Sequence, residues 1–491
     1  MKSAILINSK KEKFVLSPGK KYNWYNCGPT IYSRSHLGHA RTFITLDFMR
    51  RFYESIGIEI NFGMNITDID DKIIKKVIDK IDKKEYNSTD KMRNYYEFIH
   101  EYDEHFLNDL KSINVKKPNI ILRVSEIITQ IIDFIIVLID KEFAYYSNKS
   151  VYFDVNKYYD TFPQSHLDRS NNDDLNIKDS YSSEKKDPRD FALWKNEKDD
   201  DISFSSPWGK GRPGWHIECS VLSNIMFGDT IDIHSGGIDL LFPHHNNELL
   251  QSTAYFGKDV FNNFIHIGHL YINGDKMSQS IGNTISIESF VKKYSSNILR
   301  ILFMLSKWDS LFEIKDDDII AQAKNIDSSI YELITTLNDF KDSEIIIDSD
   351  IINDDVKILI NKYTDMLDDS LINNFDTIKF CYSLQDMIKN INIFIKNIKD
   401  LSRQDFSVLY QLLQKYTNII GLTYNLSDSD KKYILAIVEI RNKLKNTIGS
   451  VADKETKKTL FSISDYIRDD IVVKLGYKLD DKSSGVKFKK I

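Results

Sequence analysis

Residues able to bind a metal crowd the stretch from Pro213 to Glu248. It reads Pro-Gly-Trp-His-Ile-Glu-Cys at 213–219, His-Ser-Gly-Gly-Ile-Asp at 234–239 and Pro-His-His-Asn-Asn-Glu at 243–248. Thiolate, imidazole and carboxylate are all ordinary zinc ligands. His244 and Glu248 stand four apart just after Pro243, a favoured helix-start residue, so one helical face would carry both. Cys219 offers a sulfur, and by residue type His216 or His245 would serve as well as His244. The spacing is not a Cys-x-x-Cys pattern, and a buried, inert thiol is the ordinary alternative for Cys219, Cys27 and Cys381. The run Gly236-Gly237-Ile238-Asp239 follows a predicted strand. Its glycines permit close approach of a ribose or adenine, and Asp239 can accept from a hydroxyl or amine. A plain tight turn would use the same residues.

Two further motifs suit phosphate chemistry. His36-Leu37-Gly38-His39 lies between a predicted strand and a predicted helix. Its imidazoles can donate to phosphate oxygens and stabilise charge that grows there. Gly38 lets a nucleotide approach the backbone, and the helix N-terminus adds a favourable dipole. Lys276-Met277-Ser278-Gln279-Ser280 follows the last strand of the same region, from where a lysine can neutralise the β- and γ-phosphates. Taken singly, each motif is equally compatible with solvated side chains on a loop.

The elements that must position these motifs are legible in outline. Residues 22–26 read as a buried strand and 41–55 as a helix stopped by Gly57; 58–67 read as a second strand. Ile69, Ile73, Val77 and Ile81 form a helical stripe. Strand–helix–strand–helix predicts an α/β domain with a parallel sheet, whose ligands bind at the carboxyl ends of the strands. Amphipathic helices are expected over 89–113 and 125–142, then a hairpin turning at Asn148-Lys149. Residues 165–190 are polar and charge-rich, an irregular insertion interrupting the sheet. Sheet-like text resumes over Trp208–His234, with a strand at 231–234, and ends with 264–272. From about 318 to 420 helical patterns dominate, as in a bundle, and a further helical piece and a basic tail finish the chain.

Composition bounds the function. The 491 residues are 42% hydrophobic, enough for about three cored domains. Asp and Glu exceed Lys and Arg by 72 to 66, a net charge of −6, which neither advertises nor excludes a nucleic-acid partner. Three scattered cysteines argue against a disulfide framework and for a reducing compartment. The most apolar stretch, Ile127–Ile139, is too short and too polar to span a bilayer. The expectation is a cytoplasmic protein with no membrane partner.

Together, and in this order, His-x-Gly-His and Lys-Met-Ser-x-Ser resemble the class I aminoacyl-tRNA synthetases. The surrounding text resembles the cysteinyl-tRNA synthetases, in Tyr25–Thr30, Asn65–Ile74, Asp190–Lys195, Ser206–Gly209, Gly211–Cys219, His234–Ser252 and, more thinly, Asn374–Thr377. The resemblance implies a Rossmann-like catalytic domain in two halves (1–114 and 206–272) around a connective insertion (115–205), a region bearing the lysine loop (273–317), a helical bundle (318–425) and a small anticodon-binding region (426–491). It implies ATP-dependent activation of L-cysteine, transfer to tRNA(Cys), Mg2+ with the ATP, and one Zn2+ held by Cys27, Cys219, His244 and Glu248. His36, His39 and Lys276 would be catalytic. Gly38, Gly236, Gly237, Asp239 and Lys276 to Gln279 would line the ATP site. Cys27, Thr67 and Trp215 would face the amino acid; core packing and a strand-end polar group are the plain readings of the last two. Arg441, Arg468 and Phe488 would meet the tRNA, where solvated helix charges are the plain reading of the arginines. A zinc–thiolate bond separates cysteine from serine better than a cavity can, and the insertion looks short for an editing domain. The chain is expected to act as a monomer.

Two departures stand out. Gln279 replaces a lysine usual in the family, which keeps a hydrogen bond and loses a charge. Phe488 stands where tryptophan is common, which keeps stacking and loses the indole donor. Other readings are a cysteine ligase acting on a small amino-sugar acceptor, an inactive tRNA-binding paralogue, and a pyridoxal-dependent persulfide activity at Lys72–Lys75. That last segment reads more simply as a helix face.

Overall fold

The computed structural model describes residues 2–86, 90–165, 167, 182–197, 202–272, 274–276, 284–315, 317–341, 349, 351–397, 401–424, 428–474, 477–482 and 485–490; among these, side chains are left out at 182, 275–276, 341, 428–435, 450, 474, 477–478, 480–482 and 485–490. The chain forms two compact units. The first comprises 1–317, 368–380 and 419–421, and the second 318–367, 381–418 and 422–491.

The first unit is organised by a five-stranded parallel sheet: β1 (Lys21–Asn26), β2 (Glu59–Ile66), β3 (Ile120–Arg123), β4 (Ile233–Gly237) and β5 (Phe264–Ile267). The spatial order is β5-β4-β1-β2-β3, and all four pairings are parallel. This is a doubly wound order, and its direction reverses between β1 and β4. A crevice opens at such a reversal, outside the carboxyl ends of the strands. The central strands are buried on both faces, as a parallel sheet requires: Trp24 and Tyr25 on β1, Phe62, Met64 and Ile66 on β2. Helix α1 (Leu37–Ser55) follows β1. It begins four residues before the expected Arg41, because His36 caps it: its ring accepts from the Gly38 N–H, and the His39 ring accepts from the His36 N–H.

The insertion is a second sheet, antiparallel, in the order 144–147, 150–153, 191–196, 209–213, 204–206. Its first hairpin turns at Asn148 and Lys149, with φ of 49° and 67°, the two-residue turn that suits twisted strands. The strand Gly209–Pro213 carries this sheet past 205, and β3 returns the chain to the parallel sheet after 114. Much of the charge-rich 165–190 lies outside the described residues.

Residues 215–227 are not sheet. They form helix α2 (Trp215–Phe227), started at Gly214 and stopped at Gly228, whose φ is 76°. Every side chain from Ile217 to Ser223 is buried, the polar Glu218, Ser220 and Ser223 included, so the segment lacks the one-sided period that would mark a helix. The following strand runs over 233–237 rather than 231–234. The stretch 264–272 divides at Gly268 into β5 and Leu270–Ile272, which joins a small separate sheet with Asp275–Lys276 and Phe312–Ile314.

In the second unit, helices include Asp318–Lys341, Arg403–Ile419, Asp428–Ser450 and Lys454–Tyr466. Leu333, Leu337, Leu384, Met387, Leu409 and Leu413 are among its buried residues. The C-terminal strands Tyr477–Lys482 and Gly485–Lys490 form a hairpin, beneath which Leu479 packs on Val438 and Val472.

Candidate active site

Cys27 is the first residue after β1, at the sheet's reversal. Its amide donates to the Ser235 carbonyl of β4 at 3.0 Å. Cys219 lies on α2. His244 and Glu248 come from the wide turn 241–245 and helix α3 (Asn246–Phe256) that follows it. The regular helix therefore starts three residues after Pro243, not at it. The turn still brings His244 Nε2 to 3.1 Å from Glu248 Oε1. Cys27 Sγ is 3.5 Å from Cys219 Sγ, 3.7 Å from His244 Nε2 and 3.4 Å from Glu248 Oε1. All four side chains are buried, and their donor atoms lie within 4.8 Å of one another.

These separations match a tetrahedral ion. Two sulfurs at ~2.3 Å from one zinc are ~3.8 Å apart, and a sulfur–nitrogen pair is ~3.5 Å apart. A disulfide would need ~2.05 Å. Burial pushes Cys27 and Glu248 well above their ordinary values and raises Cys219. Two thiols and a carboxyl in a dry site favour their neutral forms, and a divalent cation is the group that reverses this. The donor set fits zinc. Surrounding groups orient the ligands, as metal sites require: His234 Nε2 lies 2.8 Å from Glu248 Oε2, and His216 Nδ1 lies 2.9 Å from His244 Nδ1. A second grouping, Cys27, His234, His245 and Glu248, is also within reach of one ion. Of that set only Cys27 lines the cleft described next, against Cys27, Cys219 and His244 of the first, so the first set is the one a ligand in the cleft can reach.

A cleft of ≈ 310 Å³ opens beside these ligands, lined by Cys27, Thr30, Tyr32, His36, Gly38, His39, Thr67, Trp215, Cys219, Gly237, Asp239 and His244, among others. The indole of Trp215 stacks on His244 with centroids 4.1 Å apart. Thr67 Oγ1 accepts from Asn65 Nδ2 at 3.1 Å, and Asn65 Oδ1 accepts from Tyr25 Oη and the Gly28 N–H. Asn65 and Tyr25 thereby brace the cleft floor.

The His36 and His39 rings stack, centroids 3.9 Å apart. Each Nδ1 accepts a backbone N–H, from Gly38 at 3.1 Å and from His36 at 3.4 Å. A neutral ring that accepts at Nδ1 carries its proton on Nε2. Burial lowers His36 to about 4, against an opposing pull from Asp239, and lowers His39 to about 3, helped by His36. At neutral pH the pair offers two uncharged N–H donors.

The glycines serve closer neighbours than expected. A Cβ on Gly38 would come 2.9 Å from the His36 ring, so Gly38 makes room for its own cap. Gly237 and Asp239 line the cleft, with the Asp239 carboxylate 2.5 Å from where a Gly237 Cβ would stand. Gly236 is not among the cleft residues; it clears space for Leu240 and His245. Lys276 pairs by its backbone with Tyr271, its side chain is outside the description, and Met277, Ser278 and Gln279 lie outside the described residues.

The matches to known proteins agree with this geometry. The family model of the tRNA synthetases class I (C) catalytic domain matches residues 13–325. A cysteine–tRNA ligase of Methanococcus maripaludis is 35% identical over 99% of this chain and 98% of its own length.

The chain belongs to the cysteine–tRNA ligase family.

A second member, the cytoplasmic cysteine–tRNA ligase of Dictyostelium discoideum, is 31% identical over 95% of this chain and 73% of that one. Among solved structures, the Mycobacterium tuberculosis methionyl-tRNA synthetase with methionyl-adenylate superposes with a TM-score of 0.58 at 13% identity, covering 82% of this chain and 89% of that one; it shares the fold. As a cysteine–tRNA ligase the chain is an enzyme of the class I aminoacyl-tRNA synthetases, and no described helix is long and apolar enough to cross a membrane.

Of the residues expected to meet the tRNA, Arg441 is fully buried, and its Nε donates to the Ser464 carbonyl at 3.0 Å, tying helix Asp428–Ser450 to helix Lys454–Tyr466. Arg468 is partly exposed and held between Asp465 and Asp469. Phe488 lies opposite Leu479 in the C-terminal hairpin, with its side chain undescribed. Tyr32, Asn65 and His234 had no role assigned from sequence, and His216 stood there only as an alternative to His244. Their signal was weak, since histidines at 216 and 245 matched His244 by type.

Proposed function

We propose that the chain joins L-cysteine to Mg-ATP as cysteinyl-adenylate and passes the acyl group to the terminal ribose of tRNA(Cys). The observation that carries this reading is one cleft lined at once by the two imidazoles and by Cys27, Cys219 and His244. In the first step the cysteine carboxylate attacks the α-phosphorus and pyrophosphate leaves. In the second a ribose hydroxyl attacks the carbonyl carbon and AMP leaves. Neither step needs a covalent nucleophile from the protein, so positioning and charge stabilisation suffice.

His36 and His39 present Nε2–H donors to the α-phosphate. Lys276 neutralises the departing pyrophosphate, without the second lysine that Gln279 replaces. Cys27, Cys219, His244 and Glu248 would hold zinc, which when bound supplies a soft Lewis acid for the substrate thiolate, for which a serine hydroxyl is a poor ligand. Glu248 is steadied by His234 and His244 by His216, while Trp215 and Thr67 wall the amino-acid end. Asp239 accepts from the nucleoside. Arg468 and Phe488 belong to the tRNA-facing end. That none of the three cysteines is in a disulfide and that the Dictyostelium relative is named as cytoplasmic support action in the cytoplasm, and we take the active form as a monomer.

Charging of tRNA(Cys) with cysteine against serine, before and after zinc removal, tests the whole reading. Lack of cysteine-dependent pyrophosphate exchange would sink it. Exchange without charging would favour a ligase for a small acceptor.

A further inference from the structure

Arg41 lies two positions beyond His39 on α1 and takes no part in the chemistry above. It is 1% exposed. One guanidinium nitrogen donates to the His269 carbonyl at 2.8 Å. The other donates to the carbonyls of Lys307 and Ser310 at 3.1 and 2.6 Å. The group also sits over the Phe312 ring, 5.2 Å from its centroid. Burying a charge on neutral carbonyls is an expensive way to fill space, since apolar packing does the same at less cost. What the guanidinium adds is a fixed planar fork that holds several acceptors in one geometry.

All three carbonyls frame one strand. His269 immediately precedes Leu270–Ile272. Lys307 and Ser310 lead into Phe312–Ile314, which pairs with that strand at Leu270↔Phe312. The Phe312 N–H donates to the same His269 carbonyl at 2.9 Å. On its other edge the strand pairs with Asp275–Lys276, Tyr271 opposite Lys276. There is little slack, because a Cβ on Gly268 would stand 2.1 Å from the Ser310 carbonyl oxygen. Beyond the lysine motif the chain is tied to the histidine turn again: the Leu37 N–H donates to the Ile285 carbonyl at 3.0 Å and the Ile287 N–H to the Ser35 carbonyl at 3.1 Å.

We infer that Arg41 is a positioning residue that sets the register of Lys276 against His36 and His39. The inference rests on the reading of those three residues as phosphate ligands. The route is short: one side chain from α1 to the small sheet, then one backbone pairing to Lys276. A misplacement of ~1 Å in a group that stabilises a transition state costs on the order of 10²-fold in rate. Lysine at 41 keeps the charge but not the fork, so it cannot hold all three carbonyls in the same geometry.

The test is cysteine-dependent pyrophosphate exchange by the full chain as wild type, Arg41→Lys, Lys276→Ala and the double variant. The expected result is a kcat loss in Arg41→Lys of roughly 10-fold or more, toward the 10²-fold bound, with KM for cysteine unchanged. The double variant should lose no more than Lys276→Ala alone, because an absent lysine cannot be misplaced. Losses that multiply in the double variant overturn the inference and leave Lys276 standing as a ligand. A drop in melting temperature with kcat unchanged overturns it too, leaving Arg41 a packing residue. Wild-type exchange by Lys276→Ala removes the underlying reading, and the inference with it. Should Arg41→Lys not fold, Phe312→Leu loosens the same clamp by removing the ring under the guanidinium. The same non-additivity with Lys276→Ala is then expected, and multiplying losses again overturn the inference.

Discussion

Cys27 Sγ and Cys219 Sγ approach to 3.5 Å although 192 positions separate them. They are too far apart for a disulfide and correctly spaced as two ligands of one ion. One leaves the central strand of the sheet and the other rides the helix beside it, so the sheet's reversal builds the pair.

Removing one of these sulfurs should harm amino-acid selection before it harms the fold. Cys219→Ser is expected to lower bound zinc below one per chain by metal analysis and to raise KM for cysteine by at least ~10-fold, since losing even a residue that only supports a ligand costs ~10–100-fold in metal affinity or activity. Serine should remain a poor substrate. Unchanged zinc content and cysteine KM would refute the ligand assignment.

His39→Gln keeps an acceptor for the His36 N–H, as a capping box allows, and removes the ring donor from the cleft. Pyrophosphate-exchange kcat should fall by ~10²–10³, the usual loss when one charge-stabilising donor is deleted. The melting temperature should stay close to wild type. If the two fall together, the histidine is a cap and not a phosphate donor.

The same histidines make a stability prediction. In the unfolded chain they titrate near ~6.5; in the fold they titrate at about 4 and about 3. Between those values the unfolded state binds protons that the native state refuses. The stability they contribute is therefore full above pH ~6.5 and drains as pH falls toward 4, by at most ~1.4 kcal/mol per pH unit for each ring. Melting temperatures measured from pH 7 to 5 should decline, and less steeply in His39→Gln. An identical slope in both proteins would exclude His39 as a contributor.

Gln279→Lys restores the charge that resemblance expects in the proposed phosphate-binding motif. It should lower KM for ATP or raise exchange kcat several-fold, with KM for cysteine unmoved. No change in either ATP parameter would show that Lys276 alone suffices.

Arg441→Ala should act on stability, not on tRNA. It strips a buried carbonyl at Ser464 of its donor, a loss of ~1–3 kcal/mol, read as a lower melting temperature. KM for tRNA, corrected for the folded fraction, should be unchanged. A selective rise in that KM would restore the residue to the tRNA surface.

The parallel sheet was legible because 22–26 and 58–67 are short stretches rich in aromatic and aliphatic residues, separated by a helix-period run. The lysine and histidine motifs were legible as local strings, and His244 with Glu248 by their spacing. Helix α2 was not, because burial from Ile217 to Ser223 erases the polar face that periodicity needs. The role of Cys27 could not be derived from local pattern, since its partners are assembled by topology, and only resemblance named it. The burial of Arg441 was not legible either, because the residue type announces a charge and says nothing of its surroundings.

The ligand set has a temporal consequence. Cys27 and Glu248 lie 221 positions apart, and at ~5–20 residues per second the ribosome takes ~10–40 s to join them. Until Cys219 follows, 192 positions later, Cys27 is a solitary thiol on a nascent chain, open to oxidation. The four candidate ligands come together only after the second half of the sheet has emerged, so until then a reducing environment, rather than the finished fold, must keep Cys27 a thiol.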